Sequence, residues 1–237
     1  MRTSQTLAGW MAIAAASSFG FLTVPLVAAA APPPGDGVVA HWTFDDLSAD
    51  GKSVPDVSGG KHHGRLTGPS VLVEGKFGKA IRLAGPPEQV NVGDLGVRAP
   101  ATVAFWFNTR ELFSDRIILS QVSGPEAAAG ALRFDGGQIE VFDGRTWQLL
   151  IKWGLRFDTW QHVAVVFNPQ GNATGYLDGQ AKETVKSGFD FADAEAGIAA
   201  KHLGKTGNPF IGRLDDFCVY SRALTAQEIR QLHAAGN

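Results

Sequence analysis

FIGRLDDFCVYSRALTAQEIRQLHAA, residues Phe210 to Ala235, is a strand that runs into a turn and then a short helix. Apolar and polar residues alternate up to Tyr220, the period of a pleated strand with one buried face. Thr225 then stands three residues before Glu228, the spacing of a capping box, with Ile229 and Leu232 on the packing side of the helix that follows. The strand carries adjacent carboxylates, Asp215 and Asp216. A second run, VVAHWTFDD at Val38 to Asp46, has the same alternation and also ends in two aspartates. Together they predict a sandwich whose first and last strands lie side by side, with acidic groups near the seam. Side chains alternate faces along a regular strand, so one aspartate of each pair is expected to point inward.

Between these ends the chain is a series of short strand-like runs punctuated by turn signals, which favours an all-β sandwich over alternating strands and helices. Asp135-Gly136-Gly137 joins two such runs as a hairpin, and Asp178-Gly179 closes another. Twenty-nine glycines and twelve prolines suit many tight turns. ATVAFWFN (Ala101–Asn108) and WQHVAVVFN (Trp160–Asn168) are apolar on both faces, as central covered strands are.

At 237 residues and a net charge of −2, with its lysines and arginines scattered, the chain gives no electrostatic case for nucleic acid or an anionic membrane surface. Arg2, an apolar run from Leu7 to Val27 and the small residues Ala28 to Ala30 read as a signal peptide over 1–30, and hence as export. The apolar run also approaches the length of a membrane span, so an uncleaved anchor is the alternative, and a membrane is a partner only in that case. A Pro-rich linker, 31–36, leads to one domain over 37–237. Cys218 is the sole cysteine, which excludes an internal disulfide and reads as a small buried hydrophobe.

The segments VVAHWTFDD, PDVSGGKHHGRLTG, GKFGKAIRLAG, TVAFWFN, TWQHVAVVFN with GYLDGQ, and GRLDDFCVYSRALTAQEI occur in the order found in laminin-G-like jelly-roll domains, which the chain resembles from Val38 to about Leu232. The resemblance implies two packed antiparallel sheets of the concanavalin A-like lectin/glucanase type, with one short C-terminal helix. It implies no single activity, because such folds host binding modules, structural appendages, glycanases and lyases. Relatives often hold a structural Ca²⁺ near the terminal strand. Carried over, that role falls first on Asp216 and second on Asp45, with oxygen donors suited to calcium. The competing reading has these aspartates capping turns or pairing with Arg213 and Arg222.

His62 and His63 are adjacent, so on a strand they face opposite ways and do not form a zinc pair. PDVSGGKHHG reads instead as a turn in which Asp56 and Ser58 bond local backbone. His162 has no nucleophile or acid assigned to it and reads as packing. The related β-glucanases place acids at alternate positions of one strand, whereas Glu140 and Asp143 are three apart, so no catalytic residue is assigned. Trp42, Trp106 and Trp160 read as core. Trp147 and Trp153, beside Arg145, Lys152 and Arg156, read as the aromatic rim of a binding surface. The expected function is therefore an exported, non-catalytic module for an extracellular glycan or protein, with a structural calcium. A carbohydrate-active hydrolase or lyase and a passive surface component are the alternatives.

Overall fold

The computed structural model describes residues 35–113, 115–123, 127–187, 193, 195–200 and 208–235. The leader expected over 1–30 and most of the linker expected over 31–36 lie outside them. The described residues form two sheets. In the eight-stranded sheet the order is β14 (Gln180–Lys186), β13 (Asn172–Leu177), β12 (Gln161–Phe167), β7 (Ala101–Asn108), β17 (Gly212–Tyr220), β5 (Lys79–Leu83) and β4 (Val71–Glu74), with β1 (Val38–Trp42) also paired to β17. The nine-stranded sheet runs β11 (Trp147–Ile151), β10 (Gln138–Phe142), β9 (Ala127–Asp135), β8 (Arg116–Ser123), β15 (Glu195–Ile198), β6 (Gln89–Gly93), β3 (Gly64–Thr67) and β2 (Ser53–Val54), with β16 (Asn208–Pro209) parallel beside β8. Every other pairing is antiparallel, and the fold is the two-sheet jelly-roll sandwich that the alternation predicts.

The first and last strands do meet, with Trp42 opposite Phe217 and His41 opposite Cys218. Between the sheets lies the main core, in which Phe105 stacks on Phe217 at 5.0 Å and Phe107 meets Phe134 at 4.9 Å. A smaller apolar layer lies on the outer side of the eight-stranded sheet. There α1 (Ala226–Ala234) lays Ile229 and Leu232 over Ala104, Ala164, Cys218 and Tyr220. This second layer explains why β7 and β12 are buried along their whole length. Thr225 caps α1 through a complete capping box with Glu228. In the β9–β10 hairpin Gly136 and Gly137 both have positive φ, at 56° and 78°, as a two-residue turn of the primed type requires.

One irregularity positions the acidic residues. Asp215 lies opposite Trp106 and Cys218 opposite Ala104, so β17 uses one residue more than β7 across this step. Asp216 takes up the surplus at φ +50°. The bulge resets the alternation: Leu214 and Phe217 both face the main core, and both aspartates are left on the outer side. The expectation of one inward aspartate assumed an unbroken period of two, and the bulge breaks it.

Candidate functional site

The outer side of the eight-stranded sheet carries an acidic seam and a groove. At the seam the loop Gly75 to Gly78, between β4 and β5, closes over Asp215. Oδ2 of Asp215 accepts from the amides of Lys76 (2.8 Å) and Phe77 (3.0 Å), while Oδ1 is buried with no hydrogen-bond partner. Asp215 is 1% exposed. Burial, opposed by those two amides, raises its carboxyl from 3.8 to about 8. Asp45 approaches the same loop, accepting from the Lys79 amide at 2.8 Å. The glycines are required here: a Cβ on Gly75 would sit 2.6 Å from Asp215 Oδ2, and one on Gly78, whose φ is +38°, would overlap Asp45 Oδ1.

A buried carboxylate oxygen without a donor is what a hard cation satisfies, and the donor set is all oxygen, which fits Ca²⁺. Asp216, first in the sequence reading, is engaged elsewhere: its Oδ1 lies 2.5 Å from His41 Nε2. Those two atoms and Cys218 Sγ fall within 4.8 Å of one another. Burial lifts the Cys218 thiol well above its ordinary value, so it is not a poised nucleophile. Asp56 does hold its local turn, accepting from His41 and Ser58 through Oδ1 and from His62 through Oδ2, each at 2.9 Å.

Next to the seam a groove of about 430 Å³ opens over β7, lined among others by Lys76, Trp106, Arg156, Trp160, Asp178 and His233. Its floor is Trp106, on which the His233 ring stacks at 5.6 Å, with Lys76 Nζ 4.7 Å from the ring centre. The indole Nε1 of Trp106 is buried and has no hydrogen-bond partner. Beneath lies His162, fully buried and pushed down by that burial to about 3, hence neutral. Asp178, at φ +49° in the β13–β14 turn, accepts from the His162 amide at 2.9 Å and from Gln161 Nε2 at 3.0 Å, and pairs with Arg156 at 3.3 Å. A second groove of about 550 Å³ lies beyond Trp160 and includes Arg82, Arg110, Glu111, Asp158 and Arg213. Arg213 joins the two, its guanidinium 5.3 Å from the Trp160 ring and 3.6 Å from Asp158. Arg110 holds the Asp158 carboxyl below its ordinary value, the opposite of what a general acid needs.

The sequence-predicted rim is split. Trp147 opens β11, packed 5.1 Å from Phe142 with the Arg133 guanidinium 4.0 Å over its ring. Trp153 is 72% exposed beyond the other end of that strand, which spans about 13 Å. Arg145 lies in the turn before β11, where its amide donates to Asp143 Oδ1 at 2.9 Å. Trp153 thus adjoins the groove through Gly154, whereas Trp147 and Arg145 belong to the nine-stranded sheet. Trp160, read as core from sequence, is half-buried and lines the groove.

A laminin-G family model, described as concanavalin A-like lectin/glucanases superfamily, matches residues 86–230. The chain belongs to this superfamily. No curated protein sequence matches it. Among solved structures, this superfamily member is similar to domain 4 of AbnA, a GH43 extracellular arabinanase from Geobacillus stearothermophilus, in complex with arabinotriose. That match has 22% identity and a TM-score of 0.68, and covers 83% of this chain and 98% of that one. It is similar also to the binding domain of botulinum neurotoxin serotype D (16% identity, TM-score 0.64, 84% and 52% covered). The botulinum neurotoxin DC binding domain in complex with rat synaptotagmin II gives 15% identity, a TM-score of 0.64, and 86% and 52% covered. The chain spans about half the length of these toxin domains. Among the described residues, no helix is long and apolar enough to cross a membrane.

Proposed function

We propose that this chain is an exported, non-catalytic module that binds an extracellular glycan in the groove over Trp106, beside a structural Ca²⁺ held by Asp215 and Asp45. The observation that carries the reading is the floor of the groove. The Trp106 ring, with Lys76 Nζ 4.7 Å from its centre, shares the lining with the half-buried ring of Trp160, so aromatic surface and an ammonium donor stand together. Sugar rings offer apolar faces for stacking and hydroxyl oxygens as acceptors, and a site of this kind needs few well-placed polar groups. The arabinotriose held by a module of the same fold supports a sugar over other small ligands.

Catalysis is not part of the proposal. Asp178 is tied to Arg156 and Gln161, and Asp158 to Arg110 and Arg213. The cation would order the Gly75–Gly78 loop, and with it Lys76 at the edge of the groove. A protein partner is the second reading. It is favoured by the exposed pair Phe113 and Phe157, with ring centres 5.4 Å apart, and by the exposed Trp153.

A glycan array probed with the full chain in calcium tests the proposal, with Trp160→Ala alongside. Sugar binding that Trp160→Ala abolishes without lowering the melting temperature is the expected result. Absence of any sugar ligand would overturn the glycan reading and leave the protein partner or a passive surface role.

A further inference from the structure

The two grooves share a charge that the chain as a whole lacks. Their linings contain Lys76, Arg82, Arg110, Arg156, Lys182 and Arg213, six cations, against Glu111, Asp158 and Asp178, three carboxylates. The local balance is therefore +3, from six minus three, while the whole chain carries −2. The carboxylates are consumed by neighbours: Asp178 by Arg156, Asp158 by Arg110 and Arg213, and Glu111 by Arg116. Lys76, Lys182 and Arg82 have no ion-pair partner among the described residues, and Lys76 instead lies over the Trp106 ring. The surplus is shared between the two grooves. Lys76 and Lys182 stand in the groove over Trp106, Arg82 in the groove beyond, and Trp160 with Arg213 at the junction.

Building on the glycan reading, we propose that the ligand is an acidic polysaccharide. Its sugar ring stacks at Trp160, and its carboxylate or sulfate groups, on units to either side, meet Lys76 and Lys182 in one groove and Arg82 in the other. Uronate and sulfate share the chemistry that such cations recognise, an oxyanion held by charge-assisted hydrogen bonds. A neutral sugar would leave three unpaired cations along its path without a counterpart. A polyanion also meets the screening rule for exposed charge, so its affinity falls with salt.

The test is titration calorimetry on the full chain in calcium at low and moderate salt. The probes are polygalacturonate, heparin, a neutral arabinan and single-stranded DNA, and the variants are Lys182→Gln with Arg82→Gln, and Trp160→Ala. At least tenfold tighter binding of one acidic polysaccharide than of arabinan is expected. That ratio should fall toward one in the double charge variant and at moderate salt. Trp160→Ala is expected to lose the polysaccharide while keeping the wild-type melting temperature. Polygalacturonate and heparin tell carboxylate from sulfate, and preference for either supports the proposal. Equal binding of arabinan and both acidic chains overturns the acidic class but leaves the glycan reading intact. Binding of DNA as tightly as of either polysaccharide overturns it as mere ion exchange. Failure of every sugar overturns both.

Discussion

Replacing Asp215 by Asn separates a carboxylate that waits for a cation from one that is merely hydrogen-bonded. Without metal, burial holds the folded carboxyl at about 8, against 3.8 in the ordinary state. A folded value above the unfolded one stabilises fully below about pH 4, and that contribution is lost as pH climbs toward 8. At pH 7 the unfolded chain has released a proton that the folded chain keeps, a gap of roughly three pH units or about 4 kcal/mol. Asn keeps an acceptor for the Lys76 and Phe77 amides and never ionises. Its NH2 group, however, takes the place of the partnerless, buried Oδ1 and is left without an acceptor, at a cost of about 1–2 kcal/mol. In chelator at pH 7 the variant should therefore be about 2–3 kcal/mol more stable than wild type, with the advantage gone at pH 4. In calcium at a thousandfold excess over Kd the order should reverse, because only the wild type gains the binding increment, about 4 kcal/mol. Urea unfolding followed by tryptophan fluorescence, at both pH values with and without chelator, reads all four terms. A loss of stability in Asp215→Asn that is the same at pH 4 and pH 7 and indifferent to calcium would refute the reasoning.

Three further outcomes follow from the geometry. Phe217→Ala empties the position stacked on Phe105 and tilted against Trp42, and should cost about 3–5 kcal/mol in urea unfolding; a change under 1 kcal/mol would mean that the seam is not a packed core. Thr225→Ala should cost about 1 kcal/mol, lowering the melting temperature by about 2–4 °C. The Arg222 hydrogen bond and the Thr225 amide hold Glu228 down at about 2, so the cap is complete above about pH 4.5 and is lost as pH falls through 2; a cap whose contribution already vanished at pH 5 would contradict this. His162, neutral to about 3, should show no titration of its ring protons by NMR between pH 4.5 and 8; an inflection near 6.5 would show that water reaches the ring beneath Trp106.

What the sequence made legible was local. The side-by-side pairing of β1 with β17, the capping box at Thr225 and the hairpin at Gly136-Gly137 were read from short runs of sequence, and each is present. The double-sided apolar runs predicted covered strands, and α1 supplies the outer cover. What escaped was non-local or depended on one backbone dihedral. Which aspartate the Gly75–Gly78 loop covers depends on a bulge that no periodicity announces. The groove draws on a loop before β5, on β7, on the segment before β12, on the β13–β14 turn and on α1, so no sequence window contains it. Trp160 looked like core because it abuts an apolar strand, although its ring stops half-way out. Trp147 and Trp153 looked like partners because both were read as loop residues beside Arg145, Lys152 and Arg156, yet β11 carries them to different ends.

The pairing of β1 with β17 has a kinetic side. His41 must find Asp216 across 175 positions of chain. Closing a loop of that length costs about 5 kcal/mol of configurational freedom before any contact repays it. β17 also sits mid-sheet, between β7 and β5, so the sheet's two flanks cannot knit until the final strand arrives. Such a chain should fold in milliseconds to seconds rather than microseconds, and a nascent polypeptide lacking its last thirty residues or so should remain open and protease-sensitive.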